Sequence, residues 1–381
     1  MINRNRMVKD FLEFVKIASP SRKEGKFARH VKKIIDGLRL ETVFDNAGKT
    51  IGGDCGNLIA RFKGNRTVPS ILLCVHFDTV EPCAGVNPQV KNGIVSQKGK
   101  TILGADDKAA IAEIIEMLRV IKEKNLPTGD IEILITVAEE PGLLGAKYLN
   151  PKLLKSRFGY VLDTEGTNQV VIKAPAARRL LFKIYGKEAH AGLAPEEGIN
   201  AIKIAGVALE RMRLGRIDYE TTANIGIIEG GVARNIVPNL AVMKGEARSH
   251  DLSKLTNQVM HMKKCVVDAV KGVNVRVGNK VFKPRVEIEI NDDYPKMVLS
   301  EKSRSVNLVL RAGKALNRKQ VCIAAGGGSD ANILNNMGIE MPIISCGMEK
   351  VHTKDEFVRI DDMVKVTELL LAIIEENANE L

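Results

Sequence analysis

Tryptophan is absent from this chain, and Phe, Tyr and Trp together make up only 4% of its 381 residues. A surface that binds nucleic acid by stacking bases needs aromatic platforms, so that class of partner is poorly supplied. The formal net charge of +11 does not restore it, because basic residues come as dispersed pairs such as Arg22-Lys23, Lys32-Lys33, Arg178-Arg179 and Lys263-Lys264 rather than as blocks. A basic, soluble surface is the reading that remains. No stretch approaches the ~20 consecutive apolar residues that cross a bilayer. No N-terminal segment joins a basic start to an unbroken apolar core, since Glu13 and Lys16 interrupt Phe11 to Ile17. Six cysteines form no CxxC pair, and Cys74 and Cys346 lie inside apolar runs. They read as reduced core thiols rather than disulfides or a sulfur zinc site. A cytoplasmic protein with neither a nucleic-acid nor a membrane partner is expected.

Against these absences stands a set of acidic and histidine residues placed where apolar runs end. His76 and Asp78 follow Ile71-Leu72-Leu73-Cys74-Val75, and Asp106 and Asp107 follow Leu103-Gly104-Ala105. Glu139 and Glu140 close the run from Ile131 to Ala138, Asp163 ends Tyr160-Val161-Leu162, and His352 follows Ile343-Ile344-Ser345-Cys346. Runs this short and β-branched read as buried parallel strands. The carboxyl ends of such strands form the ligand crevice of an open α/β sheet. Two histidines and several carboxylates converging there have the composition of a two-metal hydrolytic site.

The chain is too long for one ordinary core, and its texture changes along its length. Up to about Ala174, strand-like runs alternate with helical patterns, the mark of a parallel sheet. The clearest helix is Asp107 to Lys124, with Ala109, Ile111, Ala112, Ile114, Ile115, Leu118 and Ile121 as a broad apolar stripe. Alternating strands then follow at Leu180–Tyr185, Ala223–Ile228, Leu240–Ala247 and Val286–Ile290, with helical patterns over Asn200–Leu214 and Leu252–Val270. Strand-helix-strand-strand-helix-strand is the order of a ferredoxin-like α+β unit. The α/β texture resumes after Tyr294-Pro295 and ends in a helix over Asp361–Asn377. The expected organisation is an α/β, mostly parallel-sheet domain over 1–175 and 292–381, with a ferredoxin-like domain inserted over 176–291.

Each site residue has an ordinary reading as well. His-x-Asp at a strand end is common, yet residues two apart on a strand face the same way, so Asp78 could orient His76 as a ligand; otherwise it is a turn residue. Glu139 and Glu140 point in different directions, which lets one bind metal while the other stays free as a base. Asp163 and His352 alone would be a strand-end carboxylate and a loop histidine. Taken together they occur in the order and context that one mechanism requires.

These segments resemble the zinc-dependent exopeptidase family that contains peptidase T, glutamate-releasing carboxypeptidases and amino-acid deacylases, and most of all its peptidase T-like branch. The motifs that carry the likeness are Val75-His76-Phe77-Asp78-Thr79-Val80, Leu103-Gly104-Ala105-Asp106-Asp107-Lys108, Thr136-Val137-Ala138-Glu139-Glu140 and Val351-His352-Thr353-Lys354-Asp355-Glu356-Phe357. In the inserted domain Glu188-Ala189-His190-Ala191-Gly192 and Pro195-Glu196-Glu197-Gly198-Ile199-Asn200-Ala201 match the lid segment.

The resemblance implies two Zn2+ per subunit, with Co2+ or Mn2+ as alternatives. One would be held by His76, Asp106 and Asp163 and the other by Asp106, Glu140 and His352, so that Asp106 bridges. It implies a metal-bridging hydroxide as nucleophile, Glu139 as general base, Asp78 behind His76, and a cis peptide bond after Asp106. Asp at 163, where carboxypeptidase and deacylase relatives usually carry Glu, tilts the expectation toward an aminopeptidase acting on short peptides. From the inserted domain, a lid and dimerisation domain in the family, His190 would donate a hydrogen bond to the developing oxyanion. Asn235 and Arg248 would hold the substrate backbone and terminal carboxylate. Gly327 and Gly328, in Gly326-Gly327-Gly328-Ser329-Asp330, would form a backbone wall beside bound peptide; their spacing fits neither phosphate-binding fingerprint. A homodimer through the inserted domain is implied. The alternatives are a deacylase or carboxypeptidase using the same cluster, and more remotely a non-catalytic peptide- or metal-binding protein.

Overall fold

Ile71–His76 is buried along its whole length, as an unbroken run of apolar residues requires of a strand covered on both faces. It lies between Ile131–Thr136 and Phe158–Thr164, parallel to both. A computed structural model of the chain, described for residues 2–380, builds a nine-stranded sheet around this centre. The order is Glu41–Phe44, Leu58–Phe62, Ile131–Thr136, Ile71–His76, Phe158–Thr164, Ile343–Ser345, Gln169–Ala174 and Met297–Val298, with Val321–Ala324 paired to Gln169–Ala174. The sheet is mixed, with parallel strands through its centre. Leu58–Phe62 runs antiparallel to both its neighbours, and Ile343–Ser345 runs antiparallel to Gln169–Ala174. The antiparallel pairings lie in the flanks, where a half-exposed strand such as Glu41–Phe44 tolerates solvent on one side.

The helix Ala105–Lys124 is buried from Ala105 through Leu118, so its apolar character nearly all round is the mark of a core helix. It packs against Ile71–His76 and Phe158–Thr164 on one side and against the helices Arg4–Lys16 and Ile360–Ala378 on the other. Burying each of Ile111, Ile114, Ile115 and Leu118 contributes about 1.5–3 kcal/mol. Asn125, in the left-handed conformation at φ 47°, ends it. Regular helix begins only at Lys108, one residue later than the pattern suggests, because Asp106 and Asp107 have non-helical backbone; the bond between them is cis, as the resemblance implies.

Two compact units result: Met1–Lys173 with Met297–Ala325 and Ser329–Leu381, and Ala174–Lys296 with Gly326–Gly328. In the second, Thr221–Gly230, Leu240–Ser249, Ala176–Tyr185 and Arg285–Tyr294 form an antiparallel sheet in that order, with the two-residue strand Gly215–Arg216 at one edge. The helices Ala201–Arg211 and Leu252–Ala269 cover it, burying Ile204, Ala208, Val259 and Met262 with Leu180, Phe182 and Ile184. Asn200 and Asp251 cap them by accepting main-chain N–H groups of Lys203, and of Ser253 and Lys254. This is the ferredoxin-like connectivity read from the strand order.

Candidate metal centre

The register of the central strands brings the acidic and histidine residues together. His76 ends its strand level with Thr136 on one neighbour, while Cys74 is level with Val161 on the other. Asp163 lies two residues past Val161 on that strand, close enough for the charges of Asp106 and His76 to act on its carboxyl. Glu139 and Glu140 leave the sheet just after Thr136, through Ala138, a non-glycine residue at φ 48°. His352 reaches the same end from the loop after Met348–Glu349 and is itself left-handed at φ 62°. Non-glycine residues in that region are held by their surroundings and cluster at functional sites.

Asp106 is the hub. Its Oδ1 is 3.0 Å from His76 Nε2 and its Oδ2 is 3.1 Å from His352 Nε2. Glu140 Oε1 lies 3.1 Å from the same His352 nitrogen. Ligand atoms of His76, Asp106 and Glu140 all fall within 4.8 Å of one another. His76 Nδ1 is 2.9 Å from the Asp78 carbonyl oxygen and 3.5 Å from its carboxylate. The main-chain carbonyl thus takes the orienting role expected of the Asp78 carboxylate. Donation from Nδ1 leaves the lone pair on Nε2, the nitrogen that faces Asp106. The carboxylate of Asp78 is used elsewhere: it accepts the N–H of Glu139 at 2.9 Å, the N–H of Glu140 at 3.2 Å and the Ser21 hydroxyl at 2.6 Å.

This donor set fits divalent cations. One carboxylate offers its two oxygens in the directions of two separate imidazole nitrogens, and further carboxylates lie beside them, the oxygen and nitrogen chemistry of a two-metal site.

The remaining expected residues belong to the second unit and form two groups. His190 pairs with Ile236 in an isolated bridge, and the Ala191 N–H bonds to the Asn235 carbonyl at 2.9 Å, so His190 and Asn235 share one exposed loop pair. His190 Nδ1 accepts the N–H groups of Gly192 and Leu193, each at 3.2 Å. Arg248 ion-pairs with Glu246 at 2.9 Å, and its Nη1 would lie 3.3 Å from a Cβ added at Gly327. Gly328 donates its N–H to the Tyr294 hydroxyl at 3.2 Å, and a Cβ there would fall 2.4 Å from the Tyr294 ring.

Residues 72–376 match the description of Peptidase family M20/M25/M40. The chain belongs to that family. It is 39% identical to the aminopeptidase PepT of Bacillus cereus, with 99% of this chain and 100% of that one covered and a TM-score of 0.85. A Staphylococcus aureus tripeptidase is 37% identical over the whole of both chains, with a TM-score of 0.91. Peptidase T of Fusobacterium nucleatum is 28% identical over 95% of this chain and 92% of its own. The peptidase T-like resemblance read from the motifs is therefore borne out, and the chain is a metallopeptidase by family.

The electrostatics of this peptidase follow from crowding acids in a buried place. Burial, then the charge of Asp163, pushes the Glu139 carboxyl well above the usual range; burial, then Asp106, does the same to Asp163. Burial also raises Glu140, against the hydrogen bond from His352. Burial alone would raise Asp106, but hydrogen bonds from His352 and His76 outweigh it and hold its carboxyl below the ordinary value. Hydrogen bonds to Asp106 and then Glu140 lift His352 to about 10. Burial opposes the charging of His76, yet its bonds to Asp106 and Asp78 prevail and raise it. A nearby divalent cation would reverse this logic and favour ionised carboxylates and neutral imidazoles.

Sequence reasoning missed the groups that hold the ligand-bearing backbone of the peptidase. Asp107 Oδ2 accepts the His76 N–H at 3.2 Å, and Glu24 Oε1 accepts that of Ala138 at 2.9 Å. Glu356 Oε2 and Oε1 accept the N–H groups of Gly104 and Asp106 at 2.7 and 3.0 Å. Thr136 donates to a buried carboxylate, Asp330, at 2.5 Å. Asp107, Asp330 and Glu356 stand in segments named above, but nothing in their spacing announces these bonds, and Glu24 stands in none.

Proposed function

We propose that the chain is a di-zinc aminopeptidase that removes the N-terminal residue from short peptides, tripeptides above all. The observation that carries this reading is the placement of His76 Nε2 and His352 Nε2 on opposite oxygens of Asp106, with Glu140 against His352. In this reading His76, Asp106 and Asp163 hold one ion, and Asp106, Glu140 and His352 hold the other. Two such ions supply a nucleophilic water at neutral pH and polarise the scissile carbonyl.

The residues of the chain do the rest. Glu139, next to the ligand Glu140 and fastened through its amide to Asp78, takes a proton from the attacking water and returns it to the leaving amine. Asp78 keeps His76 in the tautomer that presents Nε2. Asn235, Arg248, Gly327 and Gly328 are assigned to substrate binding and His190 to the developing oxyanion, with a homodimer and a cytoplasmic location as parts of the same reading. The likeness to the Bacillus cereus aminopeptidase and the Staphylococcus aureus tripeptidase supports an aminopeptidase acting on tripeptides. Among the described residues, no helix is long and apolar enough to cross a membrane.

A chelator-controlled panel of di-, tri- and tetrapeptides against N-acyl amino acids tests the proposal. Zinc-restored release of free N-terminal residues, fastest from tripeptides, is expected. Preferential cleavage of N-acyl amino acids would replace it with the deacylase reading, and release of C-terminal residues with a carboxypeptidase.

A further inference from the structure

We propose that Glu356 is a positioning residue that sets the two halves of the metal centre in register by fastening the loop of His352 to the turn of Asp106. The inference rests on the two-metal reading above and names a residue that reading does not use.

Glu356 is 1% exposed, and each carboxylate oxygen has its own main-chain donor: Gly104 N–H on Oε2 at 2.7 Å, Asp106 N–H on Oε1 at 3.0 Å. Gly104 is left-handed at φ 77°, so these two N–H groups flank the turn that delivers Asp106 from the sheet side to its helix. A carboxylate is one of the few groups that accepts two such bonds with both oxygens.

The other end of the clamp is equally fixed. Lys350 and His352 are both non-glycine residues with left-handed backbone, at φ 56° and 62°. The Thr353 hydroxyl donates to the Lys350 carbonyl at 2.7 Å, and the Glu356 N–H donates to the Thr353 carbonyl at 3.2 Å. The segment from 350 to 356 is therefore one compact turn, with His352 at one end and Glu356 at the other. The imidazole of His352 and the carboxylate of Asp106 also meet directly, but that contact runs through groups that bound cations would engage. The Glu356 bonds are made to backbone and are independent of what the ligands hold. They can place the second imidazole against the second Asp106 oxygen before any ion arrives, the preorganisation that ligand supports provide at metal sites.

Glutamine is a discriminating substitution because it keeps the shape but only one acceptor; its NH2 would face an N–H of Gly104 or Asp106. A matched control exists in Glu132, whose Oε2 accepts the N–H groups of Lys155 and Ser156 at 2.8 and 2.6 Å from a strand in which no ligand is proposed. Wild type, Glu356→Gln and Glu132→Gln would be compared by zinc competition with a chromophoric chelator, by amide hydrogen exchange of the metal-free proteins and by kinetics. The expected result for Glu356→Gln is lost protection at Gly104 and Asp106, one zinc equivalent weakened about 10–100-fold, and a fall in kcat with little change in KM. Glu132→Gln should lower thermal stability and leave zinc affinity unchanged.

Wild-type affinity for both zinc equivalents in Glu356→Gln would reduce Glu356 to a support of the fold and overturn the proposal. Should Glu356→Gln fail to fold, Glu356→Asp keeps both oxygens but shortens the reach. Its affinity for one zinc equivalent is expected to fall below that of wild type, and a wild-type value again overturns the idea. The affinity comparison does not depend on turnover, so missing peptidase activity in wild type counts against the functional reading alone.

Discussion

Asp78 accepts the main-chain N–H of Glu139 through Oδ1 at 2.9 Å. The residue that supports His76 thus also sets where the proposed base leaves its strand. Asp78→Ala should leave the buried amide of Glu139 and the half-buried amide of Glu140 without an acceptor, at a cost of about 1–3 kcal/mol for the buried one. A drop in unfolding temperature together with a kcat loss of about 10–100-fold is expected. Unchanged turnover in folded Asp78→Ala would show that these bonds matter only for stability.

Glu139→Gln should keep zinc while losing activity by at least ~10²–10⁴, the range that proton transfer alone supplies. Metal analysis of the purified variant separates the roles of the adjacent glutamates. Loss of bound zinc in it would make Glu139 a ligand and remove it as base.

Chelation should destabilise the protein as well as inactivate it. Buried acids crowd one another at the strand ends, and cations that bind only the folded state stabilise it by ~4 kcal/mol at a free concentration 1,000 times Kd. Unfolding temperature and activity should fall together on adding a chelator and return together with zinc. A melting curve indifferent to chelator would argue against ions bound at this place.

Gly328→Ala should be destabilising by about 1–3 kcal/mol, because the new Cβ would sit 2.4 Å from the Tyr294 ring. Gly326→Ala is the internal control, with no atom within 4 Å of the added carbon. Equal unfolding midpoints for the two variants would contradict the packing described for this loop.

His190→Ala should lower kcat about 10²-fold or more if its imidazole serves the oxyanion, with zinc content and unfolding temperature unchanged. Among the described residues its ring bonds to the nearby Gly192 and Leu193 amides, so little stability is at stake. Near-wild-type turnover would leave His190 as a loop residue.

The strand ends were legible because burial on both faces forces an unbroken apolar run, and the first polar residues after it, His76 or Glu139, must lie at the sheet's edge. The ferredoxin-like unit was legible for the same reason, its alternating strands having one covered face. The flanks of the central sheet were not, since a strand such as Leu58–Phe62 reads alike whether its neighbours run parallel or antiparallel to it.

The residue types of the centre and their order along the chain are therefore properties of the sequence by itself. Which oxygen of Asp106 meets which histidine, and which acids hold the ligand-bearing backbone, were decided only in three dimensions. Glu356 is 252 and 250 residues from the amides of Gly104 and Asp106 that it accepts, and Glu24 is 114 from that of Ala138. Main-chain N–H groups carry no side-chain identity, so nothing local in sequence marks the acid that will bind them. The packed fold selects it, because a buried amide must find an acceptor and these carboxylates are the ones brought within reach.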